Sequence, residues 1–235
     1  MPRSFARPVL LASTALLALV ALSACTPSTA SPTVSPSETA SATPATTEPP
    51  AAASIGISAE AITVFDAEGA PLVSYDYFQP TDEVVAGLTE VLGAAVETPD
   101  DGGLETPPGI VHEWDGLRLY DSETPGTVPD IPNHWVFVDA PTAGGLPIGT
   151  DPGIGSATGV KVSDQLSTAT IGVTSGAPYI EPSTGVNTIV SQLGQVAIPP
   201  NPAASGDRHF FVIVLSNADT GEVTRLIAPS GDFGV

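Results

Sequence analysis

Apolar residues in this chain gather into short β-type runs, one helical run and long stretches with no period. Ala61–Phe65 is β-branched and aromatic and reads as a strand. Asp66-Ala67-Glu68-Gly69 is a turn with glycine where positive φ is wanted, and Leu72–Phe78 returns as the partner strand. Pro80 and Thr81 then open a helix. Asp82 and Glu83 complement its N-terminal dipole, Val84, Val85, Leu88, Val91 and Leu92 recur on one face, and Gly93 closes it. A loop of Asp, Gly and Pro is expected over 98–109. The clearest hairpin follows, Val111-His112-Glu113-Trp114, Asp115-Gly116, Leu117-Arg118-Leu119-Tyr120, in which Asp-Gly suits a two-residue type I′ turn. That register sets Trp114 opposite Leu117 and His112 opposite Leu119 on one apolar face, which makes Trp114 core and His112 partly buried and structural.

Past Asp121 the period weakens. His134–Asp139 reads as a strand, and six glycines and three prolines between Pro141 and Gly159 predict irregular chain. Val162–Leu166 and Val186–Leu193 are read as short helices. Phe210–Leu215 is apolar on both faces, the mark of a central strand. Asn217–Gly221 turns it, and Val223–Ala228 pairs back. The sum is an α+β domain, mostly antiparallel sheet with a few short helices. Two related halves are suggested by Val64-Phe65-Asp66-Ala67 beside Phe137-Val138-Asp139-Ala140, and by Glu90-Val91-Leu92-Gly93 beside Ser191-Gln192-Leu193-Gly194.

The N-terminus carries a different pattern. Arg3 and Arg7 precede an apolar stretch of 14 residues, Val9–Leu22, and then Ser23-Ala24-Cys25. A basic start, a greasy core too short for the roughly 20 residues of a membrane span, and small residues at the end form a secretory signal. Small residues followed at once by cysteine resemble the lipobox of bacterial lipoproteins. The resemblance implies cleavage between Ala24 and Cys25, a diacylglyceryl group on the Cys25 sulfur, and a protein anchored on the outer side of the cell membrane. Two acyl chains hold a protein stably where one myristoyl chain does not. Cys25 is the only cysteine, so lipid on it leaves no thiol for a disulfide, a redox pair or a nucleophile.

The segments 1–24, 25–53 and 54–235 are accordingly read as signal peptide, lipidated tether and globular domain. Thr26–Ala53 is Ser, Thr, Ala and Pro apart from Val34, Glu38 and Glu48, a composition that cannot bury enough apolar surface to order itself. Extended, it reaches about 85 Å, and its Ser/Thr-Pro content makes it a candidate for O-glycosylation. The helix ending in Leu-Gly, the acidic loop and the Trp-Asp-Gly-Leu hairpin are similar to a pattern in uncharacterised lipoproteins of high-GC Gram-positive bacteria, a resemblance that carries no catalytic residue across.

Charge narrows the partners. All 26 acidic residues lie beyond Cys25 against Arg118, Lys161, Arg208 and Arg225, which leaves that part of the chain at −22. Nucleic acid needs a basic footprint and is excluded, and polyanions are repelled. His112, His134 and His209 are too scattered for a zinc motif, and no cofactor is expected. Ser205, Asp207 and His209 could form a Ser-His-Asp set on paper, but there is no nucleophile elbow, and one short loop rarely attains triad geometry. Gly153–Gly159 looks like an altered nucleotide-binding glycine loop without the flanking strand and helix that motif requires. Asp232-Phe233-Gly234 mimics a kinase tripeptide without its companions. Asn217, Asp219 and Glu222 around Gly221 are oxygen donors of the kind calcium takes, and equally a plain hairpin turn. The favoured reading is a non-enzymatic, lipid-anchored envelope module with an envelope or secreted partner. An envelope hydrolase acting on wall polymer or peptide, with its site near His209, is the alternative.

Overall fold

A computed structural model of the protein describes residues 50–103, 107–123, 131–166, 178–182, 184–197 and 209–232. Five strands form one sheet: β1 (Ser54–Ile57), β2 (Ala61–Phe65), β3 (Pro71–Asp76), β8 (Thr142–Ala143) and β9 (Leu146–Thr150), in the order β3-β2-β1-β9-β8. Eight form the second: β4 (Val96–Asp100), β5 (Gly109–Trp114), β6 (Leu117–Ser122), β7 (His134–Val138), β10 (Tyr179–Ile180), β11 (Asn187–Ala197), β12 (His209–Asn217) and β13 (Val223–Asp232), in the order β10-β11-β12-β13-β7-β6-β5-β4. Every pair is antiparallel except β1 with β9. The single helix among the described residues is α1 (Thr81–Leu92).

One apolar cluster draws on both sheets and the helix. Ile55, Ile57, Ile62, Val64 and Ile148 come from the five-stranded sheet, Leu117, Leu119, Val136, Val138, Val212, Val214 and Leu226 from the other, and Val84 and Leu88 from α1. Each such side chain contributes about 1.5–3 kcal/mol when fully buried, so two layers sharing one core need no disulfide. Alternation does the sorting. In β6 and β7 the residues Leu117, Leu119, Val136 and Val138 are buried inward, and Arg118, Trp135 and Phe137 lie between them on the opposite face. The helix is tied to the hairpin at its end: Gly93, at φ 89°, donates its N–H to Thr89 O, and Trp114 Nε1 donates to Gly93 O at 2.9 Å.

The hairpin register is the expected one, with Trp114↔Leu117 and His112↔Leu119, and Asp115 and Gly116 both at positive φ. Trp114 and His112 are buried. Ala61–Phe65, α1 and the central strand β12 also stand where the sequence puts them.

The α+β expectation is corrected. Of the described residues 52% are strand and 8% helical, so the domain is nearly all sheet. Val186–Leu193 is not a helix but most of β11, whose eight partners on β12 supply the backbone bonds a helix would have supplied internally. Val162–Leu166 is turn and an isolated bridge, Gln165↔Glu222. The expected loop after Thr98 begins as the edge strand β4, whose side chains are all exposed and which is held through its backbone pairing to β5. The stretch expected to be irregular contains β8 and β9. Of the two matching pairs of tetrapeptides, Glu90-Val91-Leu92-Gly93 and Ser191-Gln192-Leu193-Gly194 sit in unlike places, a helix end and a strand interior, whereas Val64-Phe65-Asp66-Ala67 and Phe137-Val138-Asp139-Ala140 both run off the end of a strand.

Candidate binding groove on the outer sheet face

The groove is built from side chains of the parity that the core does not use. Register places Val111, Tyr120 and Trp135 in one row across β5, β6 and β7, and Glu113, Arg118, Phe137 and Ile227 in the next row across β5, β6, β7 and β13. Asp100 comes from the end of β4. Asp100, Val111, Arg118, Tyr120, Trp135 and Phe137 line a groove of about 210 Å³. The Tyr120 and Trp135 rings stack with centroids 4.7 Å apart and planes at 16°. Behind Tyr120 the chain must be glycine: a Cβ at Gly109 would stand 2.9 Å from Tyr120 Cε1 and closer still to the Asp121 carbonyl oxygen.

Charge is clamped at one end of this floor. Arg118 Nε and Nη2 donate to Asp139 Oδ2 at 2.8 and 2.7 Å, and Arg225 Nε donates to Asp139 Oδ1. Glu181 Oε1 lies 3.7 Å from Arg225 Nη1. The Arg118 guanidinium carbon sits 5.0 Å from the Phe137 centroid, a cation–π distance. Both guanidiniums are about a third exposed, at 32% and 31%. With both oxygens of Asp139 held by arginines, this carboxylate orients the two guanidiniums. The Tyr120 phenol donates to Pro107 O, and burial first, then the charges of Asp100 and Glu123, push its pKa up, which keeps it protonated.

The residues singled out in the sequence lie elsewhere. Ala24, Cys25, Ser205 and Asp207 are outside the described residues, as are Phe233 and Gly234. His209 opens β12, half-buried, its backbone paired with Ala197 and Asp232. His112 is buried with Nδ1 3.5 Å from Glu97 Oε1 and its ring near Trp114. His134 is fully buried, with Nδ1 3.4 Å from Thr81 Oγ1, and burial lowers its pKa to about 4. Asn217 Oδ1 accepts from the N–H groups of Asp219 and Thr220 at 2.8 and 3.0 Å, so the oxygen a cation would need serves the hairpin turn. Glu222 likewise donates its N–H to Thr220 Oγ1. Among the described residues no group of three or more His, Cys, Asp or Glu could hold a metal ion. The Gly153–Gly159 stretch leads from β9 into turns and opens no helix, and Thr150 Oγ1 ties it by donating to Ile154 O and accepting from Val160 N.

A smaller cavity of about 70 Å³ lies over the β1–β9 pair, lined in part by Gly56, Phe65, Gly149, Thr158 and Lys161. Asp151 stands beside it, with Oδ1 in the space a Gly56 side chain would take; burial raises this carboxyl to about 6.

Sequence reasoning missed the outward row because the apolar inner parity alone accounts for the hairpin. The signal was there: Arg118 and Tyr120 alternate with Leu117 and Leu119, and Trp135 and Phe137 alternate with Val136 and Val138. Among the described residues no helix is long and apolar enough to cross a membrane. No protein-family model matches the chain, and no curated protein or solved structure is significantly similar to it.

Proposed function

We propose that this chain is a lipid-anchored binding module of the cell envelope, held outside the cytoplasm on the Cys25 tether, and that the groove on the outer face of β5, β6 and β7 is its contact surface. The observation that carries this reading is the convergence of Arg118 and Arg225 on Asp139 beside three aromatic rings. The whole chain has only six Lys and Arg, and two of them are held on one carboxylate at the rim of one groove. Aromatic rings and arginine are the residue types that dominate recognition surfaces, because they bury large area at low entropic cost. The lipobox-like Leu22-Ser23-Ala24-Cys25 and the Ser/Thr/Ala/Pro segment after it support the anchor and the reach.

Two measurements test the two parts. Radioactive fatty acid is expected to label the wild-type chain and not Cys25→Ala; equal label in both would remove the anchor. The purified protein is expected to sediment with isolated envelope of the source organism, and Trp135→Ala with Arg118→Ala to weaken this by about tenfold or more at unchanged thermal stability. Sedimentation indifferent to both substitutions would remove the groove as the contact surface.

A further inference from the structure

We infer that the groove takes one pyranose ring of a neutral glycan, a ligand class that rests on the reading of this face as the contact surface. Size speaks first. About 210 Å³ lies below the roughly 300–1,000 Å³ of pockets that enclose a drug-sized molecule, so the groove admits one ring-sized unit while the rest of the ligand lies along the open sheet face. Its floor is flat and aromatic. Trp135 and Phe137 are half-buried rings on neighbouring positions of one strand, able to stack against the C–H face of a sugar as they do against other apolar surface.

Charge then separates the candidates. Arg118 and Arg225 are balanced by Asp139 and Glu181, and Asp100 adds a further negative charge, so the groove has no surplus positive charge to offer an anion. A carboxylate or phosphate ligand would have to displace Asp139 from the guanidiniums. A proline-rich peptide, the other common ligand of aromatic grooves, is disfavoured by the polar groups present. The Tyr120 hydroxyl, already donating to Pro107 O, offers the peptide carbonyls nothing, which leaves them the Arg118 guanidinium that a sugar would use as well, so the distinction falls to Asp100. Such a peptide would bring no N–H to Asp100, whose Oδ1 already accepts from Gly102 N–H at 2.8 Å and whose Oδ2 would be covered without a donor. An extended peptide of any sequence would seek a sheet edge for its main chain, whereas this groove lies on a sheet face. Vicinal hydroxyls meet both requirements at once, donating to Asp100 at one side and accepting from the Arg118 guanidinium at the other, whose Nη1 has no partner among the described residues.

The test uses intrinsic fluorescence of the full chain in detergent. The chain has two tryptophans, and Trp114 is 3% exposed with its indole N–H bonded to Gly93, so a ligand-dependent change reports Trp135. Short neutral gluco-, galacto- and manno-configured oligosaccharides are titrated alongside a uronic-acid oligosaccharide and an oligoproline peptide. At least one neutral sugar is expected to saturate the signal. Calorimetry should then show binding about 30-fold weaker in Trp135→Ala, largely kept in Trp135→Tyr, and weaker in Asp100→Asn. Preferential saturation by the uronate or the peptide overturns the sugar assignment, as does the lack of saturation by any neutral sugar or binding indifferent to Trp135→Ala. Envelope sedimentation tells the two failures apart. If it still depends on Trp135 while sugars fail, the contact surface stands and the ligand class falls; if it does not, both fall.

Discussion

Acidification should weaken this fold through one buried side chain, His134. It is fully buried on β7 beside the Tyr77 ring, at 5.6 Å between centroids, and its Nε2 has no hydrogen-bond partner among the described residues. Burial therefore favours the neutral ring and lowers its pKa from 6.5 to about 4. The unfolded chain takes up the proton near pH 6.5 and the native chain only near 4, so the stability held above pH 6.5 is lost as pH falls through that window. Integrating between those two values gives a loss of about 2 kcal/mol at pH 5 and about 3 kcal/mol at pH 4. Asp151 acts in the opposite sense. Its carboxyl is raised to about 6, so the native state binds its proton first, and this contribution grows as pH falls from 6 towards 4. Total stability thus mixes opposing contributions with those of many exposed carboxylates, and the informative quantity is a difference between variants. Urea unfolding of wild type and His134→Phe, run at pH 7, 6, 5 and 4.5, should give a stability difference that moves against wild type by about 2 kcal/mol between pH 7 and 5. The same series with Asp151→Asn should move the other way, wild type gaining on the variant as pH falls. A difference for His134→Phe that stays level across this range would refute the argument that burial keeps this ring neutral.

Trp114→Phe is expected to cost about 1–2 kcal/mol, because the ring stays in the core while the carbonyl of Gly93 at the end of α1 loses its indole donor; urea unfolding at pH 7 reads this, and an unchanged midpoint would show that water serves the carbonyl equally well. Gly109→Ala should cost about 1–3 kcal/mol and weaken the near-ultraviolet circular dichroism of the Tyr120–Trp135 stack, since the new methyl meets the Asp121 carbonyl and Tyr120 Cε1; a native-like band at full stability would refute the close approach.

What could be read from the sequence was local. The β5–β6 hairpin was legible to its register because Asp115-Gly116 fixes the turn and the period of two then assigns each face. α1 was legible because five apolar residues recur at its period and Gly93 stops it. The failures have separate causes. β9 lies parallel to β1, about ninety residues earlier in the chain, and Gly149 pairs with Gly56, so neither strand carries at that position a side chain that would announce it. β11 misled because Val186, Ile189, Val190 and Leu193 fit a helical spacing, whereas Thr188, Ser191 and Leu193 are the buried set and β12 the partner that decides it. Ser191, which shares the core-facing parity of β11 with Leu193, is polar, and Thr188 is buried on the opposite face, so the inner face of β11 does not stand out in the sequence. β4 is wholly exposed, and exposure leaves no pattern to read.

The groove raises a different question, namely whether its residues are there for the fold. The inner parity of β6 and β7 already supplies the core, so the outer cluster must justify itself by smaller effects. A stacked cross-strand pair such as Tyr120 and Trp135 contributes roughly 0.2–1 kcal/mol. Ion pairs about a third exposed, like those of Arg118 and Arg225 with Asp139, are worth about 0–1 kcal/mol each after solvent screening. Removing a Trp135 that packs only outward is therefore inexpensive for the domain, in contrast to the several kcal/mol expected for truncating Leu226 or Leu119 in the core. This asymmetry is what makes Trp135→Ala informative. The variant should fold and melt close to wild type, so a loss of envelope or glycan binding in it reports a missing contact, and a large loss of stability would instead show that these rings serve the fold.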